Sequence, residues 1–229
     1  MSIVKKDFRI HVSEAVTVDA LFWRPEDAKA LVVPAHGAGA GMDHRGMVGL
    51  AETLAAQGFA SLRFQFPYKQ AGRGGPDRPP KLIATIRAAV DAARDLETGL
   101  PIFASGRSMG GRMTSNAQAE EPLPGVEGLI FFAYPLHPAG KPGTQRADHL
   151  AAVDLPMLFL QGTRDKLAER DLLEGVVAGR TNITLHWLEG ADHGFAVLKR
   201  SGRTPEEVMA EIGETASAWI TGATPSELA

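Results

Sequence analysis

Apolar residues follow two rhythms along the chain, and the points where one replaces the other predict the elements. The opening "FRIHVSEAVTVDALFWRPED" alternates and is rich in β-branched residues on both sides of a polar break at Ser13 and Glu14, which predicts an antiparallel strand pair. Beyond it the strand-like runs lose their alternation: "ALVVPAHG", "GFASLRFQF", "PIFAS", "GLIFFAY", "LPMLFLQ" and "NITLHWL" are short and apolar throughout. Between them Met47, Leu50, Ala51 and Leu54 recur at helical spacing until Gly58, and Leu82, Ile86, Ala89, Val90, Ala93 and Leu96 form one face of a second helix. Near the end Thr204 fits a helix cap, Pro205 the first helical position and Glu207 the reciprocal partner, ahead of Val208, Ile212, Trp219 and Ile220. Strands apolar on both faces and separated by helices predict a mostly parallel central sheet covered on both sides, an α/β architecture. The Gly- and Pro-rich "AGRGGPDRPP", Ala71 to Pro80, predicts a surface loop; because the same pattern resumes after it, residues 1–229 are expected to form a single domain.

Ligands of such sheets bind at the carboxyl ends of the strands, so the residues leaving each strand are where chemistry is sought. Gly106-Arg107-Ser108-Met109-Gly110 leaves the "PIFAS" strand, matches G-x-S-x-G and precedes a helix. The glycines have a steric reason, since a strand turning sharply into a helix brings backbones together and leaves no space for a Cβ. A serine hydroxyl needs a base, and the base needs an orienting acid. Asp165 follows "LPMLFLQ" and His193 follows "NITLHWL", which gives the chain order Ser, Asp, His. Asp192 is adjacent to His193, and side chains of neighbouring residues diverge; Asp154 precedes its strand and belongs at the opposite end of the sheet. His11, His149 and His186 fall in the opening pair, a helical segment and a strand, which favours structural or solvated roles.

An acyl-transfer site also needs N–H groups aimed at the developing oxyanion. Met109 N–H starts the helix after the serine, and the loop "HGAGAG", His36 to Gly41, offers Ala38 N–H, with Gly39 as its substitute. The same loop fails as a dinucleotide fingerprint, because G-x-G-x-x-G would need glycine where Met42 or His44 stands. His36, Asp43 and His44 lack a zinc-ligand spacing. No cofactor and no metal are expected.

Composition narrows the classes further. At 229 residues, 44% hydrophobic, the chain can bury a substantial core. A net charge of -3 and a pI near 6.2 argue against a nucleic-acid partner, which would require clustered Lys and Arg. No cysteine is present, so neither a disulfide framework nor a thiolate nucleophile is available. The start "MSIVKKDFRIHV" lacks the apolar core of a secretory signal, and no run approaches the roughly 18 apolar residues of a membrane span. A cytoplasmic protein acting on a small molecule, with no membrane partner, is the expectation.

With these motifs placed, the chain resembles the α/β-hydrolase superfamily, and within it the small hydrolases related to dienelactone hydrolases, through "HGAGAGMDH", "RFQFPY", "GRSMGGR", "YPLHPAGKP", "QGTRD" and "DHGF" in this order. The resemblance implies an α/β-hydrolase fold and a triad of Ser108, Asp165 and His193. Dienelactone hydrolases use a cysteine nucleophile where this chain has serine, so a serine hydrolase of small soluble esters or thioesters is expected. An acyltransferase using the same residues and a non-catalytic module on the same fold are the alternatives. In this fold a lid enters after "GLIFFAY"; only Pro135 to Leu155 are available here, which predicts little or no lid. Arg63, Tyr68, Tyr134 and His137 are candidates to line the cleft, with packing roles as the competing assignment.

Overall fold

Strands β1 (Ile3–Ser13) and β2 (Val16–Pro25) form the antiparallel hairpin that the alternation predicts, with Phe8 opposite Ala20 and Ile10 opposite Val18. The computed structural model describes residues 2–222. β2 continues antiparallel onto β4 (Phe59–Phe64), and β4 runs parallel to β3 (Ala30–Ala35). From β3 the sheet extends in parallel through β5 (Ile102–Arg107), β6 (Val126–Phe132), β7 (Met157–Gly162) and β8 (Ile183–Leu188). The resulting order is β1-β2-β4-β3-β5-β6-β7-β8. β3, β4 and β7 are buried at every position, which explains why their sequences do not alternate.

Helices cover both faces. α3 (Pro79–Asp95) and α4 (Met109–Glu120) pack Leu82, Ile86, Val90, Met113 and Ala117 into one core layer. α1 (Arg45–Ala56) and α6 (Pro205–Thr221) pack Leu50, Leu54, Val208, Ile212 and Ala216 into the other. Thr204 caps α6 in a complete capping box with Glu207, as the sequence predicts. Two short helices carry no strong sequence signal, α2 (Pro67–Gln70) and α5 (Arg170–Val177). The expected loop at Ala71–Pro80 is shorter by its last two residues, because Pro79 and Pro80 open α3, where a missing N–H costs nothing. Leu96 is the C-cap of α3 and lies beyond its fully buried face.

The carboxyl rim of the sheet is assembled by close backbone contacts. A Cβ on Gly110 would overlap the carbonyl of Ala35 at the end of β3, and one on Gly106 would overlap the Gly110–Gly111 backbone. Only glycine therefore lets α4 start against the end of β3. The β7 and β8 exits are joined similarly: Arg164 N–H donates to Ala191 O at 2.9 Å, Gly190 N–H to Thr163 Oγ1 at 2.8 Å, and a Cβ on Gly162 would overlap Ala191 O.

The loop leaving β3 is held from beneath by His36, which is fully buried. Its Nε2 accepts from Phe66 N–H at 3.0 Å, so the ring proton sits on Nδ1 and donates to Gly37 O at 2.8 Å. Burial pushes the His36 pKa down to about 4, against an opposing contribution from the Gly37 hydrogen bond.

Two outcomes follow. Gly110→Ala is expected to lower stability by about 1–3 kcal/mol, the usual penalty for forcing a carbon into packed backbone, read from the midpoint of urea unfolding. The His36 ring is neutral in the fold, while an unfolded chain protonates it below about pH 6.5. Stability is therefore complete above that value and falls as the pH drops towards about 4, by about 3 kcal/mol from this residue. His149, also lowered to about 4, mainly by burial, adds loss in the same direction. Unfolding midpoints from pH 7 to 4 should fall less steeply in His36→Gln than in the parent chain.

Candidate active site

Ser108 occupies the turn between β5 and α4 with φ 53° and ψ -121°, a backbone region that residues with a Cβ rarely enter. Its N–H donates to Phe132 O at 3.0 Å and its carbonyl accepts from Arg112 N–H at 3.1 Å, so both neighbouring elements pin the turn. The side chain projects at the start of the helix.

Three loops meet at this hydroxyl. Ser108 Oγ lies 2.8 Å from His193 Nε2, and His193 Nδ1 lies 2.7 Å from Asp165 Oδ2. A carboxylate only accepts, so Nδ1 carries the imidazole proton and Nε2 is free to accept from the serine. The Asp165 side chain is fully buried, whereas the His193 side chain is about 30% exposed. Asp165 Oδ2 also accepts from Gln161 Nε2 at 2.6 Å, and Oδ1 accepts from Leu167 N–H at 2.8 Å. The acid is thus held on both oxygens. Asp192 turns away from the imidazole: its Oδ1 accepts from Gly194 N–H at 2.8 Å and Ala196 N–H at 3.0 Å and shapes the loop that carries His193.

The loop after β3 lies against the serine, since a Cβ on Gly37 would stand 3.6 Å from Ser108 Cβ. Gly37 O accepts from His36 Nδ1, from Ala40 N–H and, at 3.3 Å, from Tyr68 OH; Ala38 O accepts from Tyr68 OH at 2.8 Å. A trans peptide directs its N–H opposite to its carbonyl. Fixing the Gly37 and Ala38 carbonyls therefore fixes the directions of Ala38 N–H and Gly39 N–H. Met109 N–H is among the first N–H groups of α4, which have no intrahelical acceptor.

The four proposed lining residues are corrected by the structure. Arg63 does not leave a strand; it lies within β4, 1% exposed, donates from Nη1 to Met42 O at 2.8 Å and stacks over Trp23 at 4.3 Å. Tyr68 is buried beneath the loop it supports, and that burial raises its hydroxyl pKa to about 12. Tyr134 is buried and donates to Arg146 O at 2.7 Å. His137 accepts at Nε2 from Glu169 N–H at 3.3 Å, which leaves Nδ1 to donate to Pro138 O at 2.9 Å. All four hold rim loops in place. Each of them donates or accepts at a backbone group, which offsets the cost of burying its polar atoms, although Arg63 Nε has no partner among the described residues. Gln161, which sequence reasoning missed, ends an apolar strand as its one amide; that was the available signal.

Between β6 and β7 a 3-10 turn spans Gln145–Ala152; the Tyr134 contact ties it to the exit of β6, and the 2.8 Å pairing of Ser115 Oγ with His149 Nε2 ties it to α4. Among the described residues no group of three potential metal ligands occurs, and no helix is long and apolar enough to cross a membrane.

Comparison with solved structures finds the same architecture. A dienelactone hydrolase from Anabaena variabilis is 20% identical with a TM-score of 0.75, over 96% of this chain and 98% of that one. The ferulic acid-bound Est1E from Butyrivibrio proteoclasticus is 20% identical with a TM-score of 0.75, over 93% and 99%. An esterase from Pyrococcus furiosus is 18% identical with a TM-score of 0.71, over 93% and 90%. A family model described as an alpha/beta hydrolase domain matches residues 28–221. With that span covering β3 to α6 and every element that carries the serine, acid and histidine, the chain belongs to the α/β-hydrolase family.

Proposed function

We propose that the chain is a single-domain, cytoplasmic serine hydrolase that cleaves a small ester or thioester through an acyl-enzyme intermediate. The observation that carries this reading is the continuous path from Ser108 Oγ through His193 to the buried Asp165 carboxylate, with links of 2.8 and 2.7 Å. The esterases and the dienelactone hydrolase among its structural neighbours agree with the reaction class.

In the first half-reaction Ser108 Oγ attacks the substrate carbonyl while its proton passes to His193 Nε2. The imidazolium formed is steadied by Asp165, which remains ionised and keeps the ring in the required tautomer. Met109 N–H and Ala38 N–H, or Gly39 N–H in place of the latter, donate to the oxyanion, and His193 then gives its proton to the leaving oxygen or sulfur. Water repeats the sequence: His193 takes its proton, the hydroxyl adds to the acyl carbonyl, and the proton returns to Ser108 as the acid departs. Every proton has a donor and an acceptor among Ser108, His193 and water, so the scheme contains no cofactor step.

A fluorophosphonate probe should label the parent chain and leave Ser108→Ala unlabelled. Turnover of p-nitrophenyl acetate should fall by at least about 10³-fold in that variant. Asp165→Asn should retain the fold and lose about 10⁴-fold in kcat, because an amide N–H directed at Nδ1 favours the wrong tautomer. Equal labelling of the parent and Ser108→Ala would sink the reading.

A further inference from the structure

A cleft of about 670 Å³ opens beside His193, and its charge is one-sided. Arg45, Arg107, Arg164 and Lys166 line it against a single carboxylate, Asp192. The chain as a whole carries -3, so this accumulation runs against its overall balance. Several arginines elsewhere pair with acids, among them Arg73 with Asp77, Arg94 with Asp91, Arg170 with Glu174 and Arg203 with Glu211. Among the described residues none of the four cleft cations has a carboxylate within ion-pair distance. Asp192, whose charge opposes the lowering of the Arg107 pKa by burial, offsets one of the four charges at most, and its Oδ1 is held by two backbone N–H groups.

Arg107 adds the link to chemistry. It immediately precedes Ser108, donates from Nη2 to Gly194 O at 3.1 Å and packs over Phe195 at 5.6 Å, so its guanidinium bridges the serine and histidine loops. Arg164 and Lys166 flank Asp165 in sequence, and Arg45 enters from the start of α1. All three are exposed, and Arg164 also donates from Nη1 to Gly190 O at 3.1 Å.

We propose that this cleft binds an anionic substituent, carboxylate or phosphate, on the leaving-group side of the substrate. The inference rests on the hydrolase reading above. The side follows from the proton path: the leaving oxygen or sulfur must approach His193 Nε2 to be protonated, and the cations line the cleft that contains His193. A planar carboxylate or a phosphate matches the guanidinium fork, and a concave cationic mouth raises the local concentration of anions.

The test compares 3-carboxyphenyl acetate and 3-phosphonophenyl acetate with the neutral 3-carbamoylphenyl acetate. In parallel, calorimetry on the parent chain compares 3-hydroxybenzoate and 3-hydroxyphenylphosphonate with 3-hydroxybenzamide, which measures recognition without requiring turnover. At least one charged ester should exceed the neutral one by about tenfold in kcat/KM, mostly through KM. The preference should shrink between about 0.05 and 0.5 M salt as the screening length shortens and the attraction of the cations reaches less far. The larger of the two charged preferences identifies carboxylate or phosphate as the group selected. In the triple variant Arg45→Gln, Arg164→Gln, Lys166→Gln, the ratio of charged to neutral turnover should collapse towards one. Loss of Ser108-dependent turnover with every ester would defeat the hydrolase reading, and the calorimetric pair would still decide the binding claim. Equal affinity of both anions and the amide, or a triple variant that keeps the full preference, overturns the proposal.

Discussion

Everything at the rim depends on one backbone approach, the start of α4 against the end of β3. Gly106 and Gly110 allow it, since a Cβ at either position would overlap main-chain atoms. The turn that results holds Ser108 at a positive φ, a conformation that costs on the order of 1–3 kcal/mol and survives only where its surroundings over-determine it. Here they do: the Ser108 backbone is bonded to β6 on one side and to the first turn of α4 on the other. The same approach brings the β3 exit loop against the serine, so Ser108 and the Ala38 and Gly39 N–H groups are positioned by a single packing event.

Around that contact the fold devotes buried polar side chains to fixing loops. His36 and Tyr68 fix the Gly37 and Ala38 carbonyls, Arg63 holds Met42 O further along the same loop, and His137 holds Glu169 N–H beyond the acid. Gln161 reaches from the end of β7 to the carboxylate itself. These residues touch no reacting atom in the scheme proposed above. They limit the freedom of segments that would otherwise move, which matters because acyl transfer is sensitive to displacements of about 1 Å.

This division of labour also explains which parts of the site were legible in the sequence. The sheet could be inferred because full burial removes alternation, and the elbow because glycines on both sides of a serine sit between a strand and a helix. Asp165 and His193 could be located because each follows an apolar run directly. Arg63, Tyr68, Tyr134 and His137 were misplaced for one common reason: a residue near the rim can point into the cleft or under a loop, and chain position does not encode that direction. Arg63 is the clearest case, buried beneath Trp23 although its side chain is charged. α2 and α5 went unanticipated because four and eight residues are too few to display a helical period.

Two electrostatic environments therefore coexist within the reach of one imidazole. On the Asp165 side the carboxylate is buried and hydrogen-bonded, and charges interact strongly because little water screens them. On the cleft side the cations are mostly exposed, and water and salt weaken each of them. In the proposed reaction, groups in the first environment would act on the barrier, since their geometry is fixed before substrate arrives. Groups in the second would act on encounter and ground-state affinity, where long-range attraction counts more than close geometry. The segment that could have enclosed the cleft, after β6, is instead held to its own start through Tyr134 and to α4 through His149. For the proposed hydrolase, with little lid available to exclude competitors, discrimination among substrates would fall to charge and to the shape of the open mouth.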